Sequence, residues 1–142
     1  MNLPAERNYN IKDSSGASKK LADVFKGKYM LLDFSSSTCG YCITRARELN
    51  QSEALQAALD SDKCSHATIV PQADLRAWNG RVGGYVAKHS YEADTARIGR
   101  LVEALGTSFA GTPTFIMIDT KGQIVGGVGH GIPTNLINQH CK

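Results

Sequence analysis

What the sequence lacks narrows its function first. No stretch approaches the roughly 18 apolar residues that a membrane-spanning helix requires, so the chain is not expected to cross a bilayer. Basic residues form no stripe. The formal net charge is only +3, and Lys19-Lys20 is the sole adjacent basic pair. A nucleic-acid surface needs a concentrated basic face, so that class is excluded, and a solvated surface accounts for the pair. No internal repeat or low-complexity segment occurs. The opening Met1-Asn2-Leu3-Pro4-Ala5-Glu6-Arg7 has no apolar core of the kind a signal peptide carries. It fits a mature exported domain and a cytosolic protein equally.

Cysteine is scarce but pointed. There are four: Cys39, Cys42, Cys64 and Cys141. The first two form a CxxC pair, and the others lie far from it and from each other. An even count with one leftover pair permits a second disulfide, which favours an oxidising compartment. The expected location is therefore periplasmic or otherwise extracytoplasmic, with the cytoplasm as the alternative. The 142 residues, 42% of them hydrophobic, suffice for a conventional core, and one domain over residues 1–142 is expected.

Periodicity sketches an alternation of strands and helices. Tyr9–Lys12 reads as a short edge strand with Asp13–Gly16 as its turn, and Ser18–Phe25 as a short helix that Gly27-Lys28 ends. Tyr29–Phe34 is apolar on both faces apart from Asp33, the pattern of a buried central strand. After the polar Ser35–Thr38, a helical pattern runs from Cys39 through Ile43, Ala46 and Leu49. Asn50 and Ser52 interrupt it before Glu53–Leu59. Ala67–Val70 is a second core strand stopped by Pro71. Residues 72–91, with the only tryptophan, Trp78, read as an inserted helix plus loop. Glu92–Leu105 carries Ile98, Leu101, Val102 and Leu105 on one helical face, with Gly106 as a stop. Thr114–Ile118, the turn Asp119–Gly122 and Gln123–Val128 read as a hairpin, and Pro133–His140 as a last helix. The expected architecture is α/β, a mixed sheet of four to five strands flanked by helices.

The CxxC pair draws its chemistry from its place. At a strand-to-helix junction the first thiol meets the unpaired N–H groups and positive dipole end of the helix, which favour its thiolate. The second thiol, one turn later, can close a disulfide. Cys39 is then the attacking nucleophile and Cys42 the resolving thiol. Two other readings compete. Half a zinc site would draw on Cys64, His66, His140 and Cys141, whose spacing forms no second CxxC or HxxxH unit. An inert buried pair is the third.

Two neighbours of the pair bear on the choice. Asp33 sits inside an apolar strand six residues before Cys39. A lone buried acid is costly, and burial raises its pKa. It is either a proton acceptor for Cys42 or a structural acid satisfied by hydrogen bonds. Gly111-Thr112-Pro113-Thr114 opens the third core strand, where Pro113 can follow either a cis or a trans bond. His66, His89, His130 and His140 show no ligand spacing and receive no role.

Together, the acid and CxxC from Asp33 to Cys42, Gly111-Thr112-Pro113-Thr114 before an apolar strand, and the hairpin Lys121-Gly122 with Ile124-Val125-Gly126-Gly127 resemble the thioredoxin superfamily over residues 9–142. The nearest likeness is to the exported TlpA/ResA-type thioredoxins, through Leu21–Tyr29 and Phe115–Gly122. Thr38 stands where that family has tryptophan before the first cysteine. Gly40-Tyr41, with Thr112 before the proline, is similar to periplasmic disulfide isomerases of the DsbC type.

The resemblance implies a thioredoxin fold in which Pro113 is a cis-proline beside the disulfide. Backbone groups of Thr112 would then take an extended substrate segment by strand addition, with Tyr41 at the same surface. It also implies that the start of the second core strand and the end of the last helix share the pole away from the active site. A structural disulfide between Cys64 and Cys141 is therefore expected, with two free thiols as the alternative. The implied activity is exchange with disulfides of protein substrates by a monomer, with no cofactor and no metal. A dithiol protein, membrane-bound or free, would recharge it. A zinc- or copper-binding module and a non-catalytic adaptor are the competing functions.

Overall fold

The computed structural model of the chain describes residues 8–94, 100, 103 and 111–142. In chain order its elements are β1 (Asn10–Lys12), β2 (Ser18–Lys20), α1 (Leu21–Phe25), β3 (Tyr29–Phe34), α2 (Gly40–Gln51), α3 (Glu53–Leu59), β4 (Cys64–Pro71), α4 (Leu75–Val82), α5 (Gly84–Lys88), β5 (Ser90–Ala93), β6 (Thr114–Ile118), β7 (Ile124–Gly129) and α6 (Thr134–Cys141). The strands form one mixed sheet in the order β2-β1-β5-β4-β3-β6-β7. β3 runs parallel to β4 and antiparallel to β6, so its apolar run is buried between two neighbours.

Strand periodicity divides the core. Successive side chains point to opposite faces. Met30, Leu32 and Phe34 therefore join Ile11, Leu21, Phe25, Ile69, Ile116 and Ile118 on one face. Leu31 packs on the other with Cys42, Ile43, Ala46, Leu49, Trp78 and Ile137, beneath α2 to α6. Each large side chain removed from water in this way contributes about 1.5–3 kcal/mol. Asp33 has the parity of Leu31 and so lies on the CxxC face of the sheet. Register sets Asp33 beside Thr68 and Leu31 beside His66.

The expected helix break at Asn50 and Ser52 has a polar cause. The Ser52 hydroxyl accepts from Leu55 N–H and caps α3. Asn50 turns its amide outward from α2, donating to the carbonyls of Val82 and Gly83 and accepting from Val86 N–H. It thereby ties α2 to the α4–α5 junction.

The α/β class expected from the sequence is present, with seven strands among the described residues rather than four to five. The two additional strands are β2 and β5. Ser18–Lys20 pairs with β1 rather than opening a helix, because the Asp13 carboxylate accepts from the amides of Ser15 and Ala17 and closes a tight turn. The helix starts at Leu21. Residues 72–91 hold two short helices and the start of β5, against one helix plus loop. Glu92 and Ala93, expected to open a helix, belong to β5. The Glu92 carboxylate accepts from Ala73 and Leu75 N–H and so caps α4 from a neighbouring strand. Of the rest of that expected helix, Arg100 and Glu103 are helical. Ile98, Leu101, Val102, Leu105 and its stop at Gly106 lie outside the described residues.

Candidate active site

β3 ends at Phe34, and the chain needs only residues 35–38 to reach the first helical turn of α2. The Ser35 amide continues the sheet by donating to the Ile69 carbonyl. Ser37 is held from the side: its amide donates to Asp74 Oδ2 at 2.8 Å, and its hydroxyl donates to Asp74 Oδ1. Asp74 occupies the N-cap position of α4 but makes no side-chain cap bond there. Its carboxylate instead fixes the loop that carries Cys39.

Cys39 is the N-cap residue of α2 in extended conformation, and its Sγ accepts from Cys42 N–H at 3.1 Å. The two cysteines are joined in a disulfide with Cα atoms 5.2 Å apart. Cys42 is buried on the core side, while Cys39 is half-buried. An incoming sulfur therefore has access to Cys39 first. The helix N-terminus places unpaired N–H donors around the Sγ that would carry charge after reduction.

The Thr112–Pro113 bond is cis. The Thr112 carbonyl oxygen lies 3.6 Å from Cys39 Sγ. The Thr114 hydroxyl donates to the Gly111 carbonyl, and His130 Nδ1–H donates to the Pro113 carbonyl at 2.5 Å. Tyr41 is 73% exposed. With Arg45, Thr112, Pro113, His130 and Gly131 it lines an open cavity of about 490 Å³. Thus Cys39, Tyr41, Thr112 and Pro113 are brought to one surface.

Asp33 is 2% exposed. Its Oδ1 accepts from the Ser35 hydroxyl at 2.8 Å and its Oδ2 from the Thr68 hydroxyl at 3.0 Å. Burial pushes its pKa up from 3.8 to about 6, and the two hydroxyl donors partly oppose that rise. Such an acid changes charge within reach of neutral pH.

Cys64 and Cys141 are joined in a second disulfide, from the first residue of β4 to the last of α6, with Cα atoms 5.4 Å apart. The residues that a zinc site would recruit are therefore engaged elsewhere. His140 stacks on Tyr29 with ring centroids 4.5 Å apart, and His66 bonds to Thr68 and Tyr85. Among the described residues, no three His, Cys, Asp or Glu side chains cluster as a metal site would need.

Three residues of this region carried no assignment from the sequence. Asp74 was readable as a helix cap but not as a loop anchor, because its partner Ser37 is 37 positions away. His130 has no local signal, since its contact depends on the β6–β7 hairpin returning beside Pro113. Thr68 did have one: it and His66 alternate with Ala67 and Ile69, so both polar side chains fall on one face of β4.

Comparison with known proteins agrees with this geometry. The chain has a TM-score of 0.72 with a thiol:disulfide interchange protein of the thioredoxin family from Chlorobium tepidum, at 17% identity over 100% of this chain and 98% of that one. It has a TM-score of 0.71 with the thioredoxin domain of a thiol-disulfide oxidoreductase from Bacteroides vulgatus, at 20% identity over 98% and 94%. An exposed lipoprotein thioredoxin from Streptococcus pneumoniae matches at 0.62 and 21% identity over 93% and 98%. These likenesses show the thioredoxin fold. No curated protein matches the chain. The Redoxin family model matches residues 3–130, and with a thioredoxin fold that presents a CxxC pair at a helix N-terminus, this chain belongs to the Redoxin family.

Proposed function

We propose that the chain is a thiol–disulfide oxidoreductase acting on protein disulfides outside the cytoplasm, as a reductase or isomerase rather than an oxidase. One observation carries the reading: Cys39 Sγ caps α2, is bonded to the buried Cys42, and lies 3.6 Å from the carbonyl of Thr112 before a cis-proline. The second disulfide, Cys64–Cys141, supports an oxidising compartment. So does the likeness to a lipoprotein described as exposed.

In the reducing direction the Cys39 thiolate attacks one sulfur of a substrate disulfide. A mixed disulfide forms, and the other substrate sulfur leaves as a thiolate and takes a proton. Cys42 then gives its proton to the Asp33 carboxylate and attacks Cys39 Sγ. The Cys39–Cys42 bond forms, the mixed disulfide breaks, and the substrate is left reduced by two electrons. Thr112 backbone groups and the exposed Tyr41 ring hold the substrate as an added strand. A dithiol protein, membrane-bound or free, restores the reduced pair. The protein's own sulfurs carry the electrons, so no cofactor is required, and a monomer suffices.

The test is insulin reduction with a dithiol donor, together with a Cys42→Ser trap. The trap should accumulate substrate through Cys39, and Cys39→Ser should abolish both signals. If no mixed disulfide forms and insulin stays intact, the reading is wrong. A reduction potential near about −270 mV identifies a reductase, and one near about −120 mV an oxidase.

A further inference from the structure

The proposed exchange leaves one question open at Asp33. A proton taken from Cys42 must leave again before the next cycle, yet Asp33 is 2% exposed. On the active-site side it meets the buried Ser35 hydroxyl. On the other side a continuous line of polar atoms runs along the sheet face. Thr68 Oγ1 lies 3.0 Å from Asp33 Oδ2 and 3.3 Å from His66 Nε2, and His66 Nδ1 lies 3.2 Å from Tyr85 Oη. Thr68 and His66 are 0% and 1% exposed. Tyr85, on α5, is half-buried. Its ring stacks on His89, which with His66 lines an open cavity of about 510 Å³.

We propose that Thr68, His66 and Tyr85 form a proton relay that connects the buried Asp33 carboxyl to solvent at the α5 side of the sheet, away from the disulfide. The proposal takes from the exchange reading only the source of the proton.

The geometry permits two hydrogen-bond polarities. With Asp33 protonated, its Oδ2–H donates to Thr68, Thr68 donates to His66 Nε2, and His66 Nδ1–H donates to Tyr85 Oη. With Asp33 ionised every bond reverses. Tyr85 donates to Nδ1, Nε2–H donates to Thr68, and Thr68 donates to Asp33. Passing from the first state to the second moves each proton by one bond and releases one from the Tyr85 hydroxyl to water. His66 is neutral in both states and only exchanges its tautomer.

That is the form its surroundings enforce. Burial lowers the His66 pKa from 6.5 to about 3, and the nearby His89 charge adds to the effect. The groups facing the line are Asp33 from β3, Tyr85 from α5, His89 at the C-cap of α5, and Asp60 at the C-cap of α3, which bonds His89 Nε2 at 2.8 Å. Thr68 satisfies the Asp33 carboxylate and also suits a relay better than a residue of the same shape would. Valine has its shape, and only the hydroxyl can accept on one side while donating on the other.

The test reads Asp33 without any substrate. The oxidised full-length chain is held below pH 5, where Asp33 is protonated, and its buried carboxyl C=O stretch is identified in the infrared by its loss in Asp33→Asn. On transfer to D₂O the band shifts as the acid proton exchanges. Thr68→Val should slow that shift at least tenfold, Tyr85→Phe should slow it too, and Thr68→Ser should restore the wild-type rate. Equal rates in wild type, Thr68→Val and Tyr85→Phe would overturn the relay, as would a slowed rate in Thr68→Ser. If Thr68→Val does not fold, Tyr85→Phe on the half-exposed edge decides alone. Failure to reduce insulin bears on the exchange reading and leaves this measurement intact.

Discussion

Replacing Asp33 with asparagine tests the energetic role of the buried acid directly. Folded, the acid titrates near pH 6; unfolded, near its ordinary 3.8. Between those values the native chain keeps a proton that the unfolded chain has released. The stability that Asp33 contributes is therefore complete below pH 3.8 and is lost as pH rises through 6. Once both states are ionised, the loss is about 3 kcal/mol at roughly 1.4 kcal/mol per pH unit.

Asparagine has nearly the same shape and no charge. Its carbonyl can accept from Ser35 while its amide donates to Thr68, whose hydroxyl proton is then free for His66. Hydrogen-bond rearrangement offsets the gain by about 1 kcal/mol. Asp33→Asn should thus be more stable than wild type by about 2 kcal/mol at pH 8 and no more stable at pH 4. For a chain of this size that is a rise in Tm of roughly 4–8 °C at pH 8. Urea unfolding of the oxidised proteins at pH 4, 6 and 8 measures it. A difference that does not change with pH would refute the reasoning, because it would mean that Asp33 titrates alike in the folded and unfolded states.

Other outcomes follow from the same geometry. The double change Cys64→Ser and Cys141→Ser opens a loop of sequence separation 77. In the chain-entropy model it should cost about 4 kcal/mol, visible as a lower urea midpoint with insulin reduction at 25 °C retained; an unchanged midpoint would contradict it. His130→Ala removes the donor to the Pro113 carbonyl. It should raise KM for insulin about fivefold, the worth of roughly one hydrogen bond, while iodoacetamide labels Cys39 as fast as before. A change in labelling rate with constant KM would place His130 in a different role. Asp74→Ala leaves the amide and hydroxyl of the buried Ser37 without their acceptor. A loss of about 2 kcal/mol is expected, with faster hydrogen exchange at the Ser37 amide; continued protection of that amide would show that Asp74 does not anchor the loop.

What was legible in the sequence was what local pattern controls. β3, α2 and β6 follow from apolar runs and helical spacing, and Asp33, Cys39, Cys42 and Pro113 each sit at a position that such an element defines. β2 was not legible, because Ser18-Lys19-Lys20 has no apolar period and is a strand only by pairing with β1. Glu92 was misleading for a related reason. It has good helix propensity, but its carboxylate caps α4 across 17 and 19 positions, and that tertiary contact outweighs propensity. Asp74 and His130 act on partners that only the folded chain brings near. His66 and Thr68 are the instructive case. Their shared face was readable from parity, but their place beside Asp33 needed the β3–β4 register, which no single strand contains.

That register also joins two groups with opposite responses to pH. Between about pH 4 and 6 native Asp33 holds a proton that the unfolded chain has lost. Over the same range native His66 refuses a proton that the unfolded chain, with an ordinary histidine near 6.5, accepts. Stability changes with pH only through the difference in bound protons between the two states. Here one proton is gained and one is lost, so the two slopes cancel. Asp33 alone would make the fold less stable with each step up from pH 4, and His66 alone would make it more stable. Placed on adjacent strands of one sheet face, with Thr68 between them, they make opposite contributions to the pH dependence of stability over that range. The buried histidine thereby offsets the stability change that the buried acid alone would impose as it takes and releases a proton.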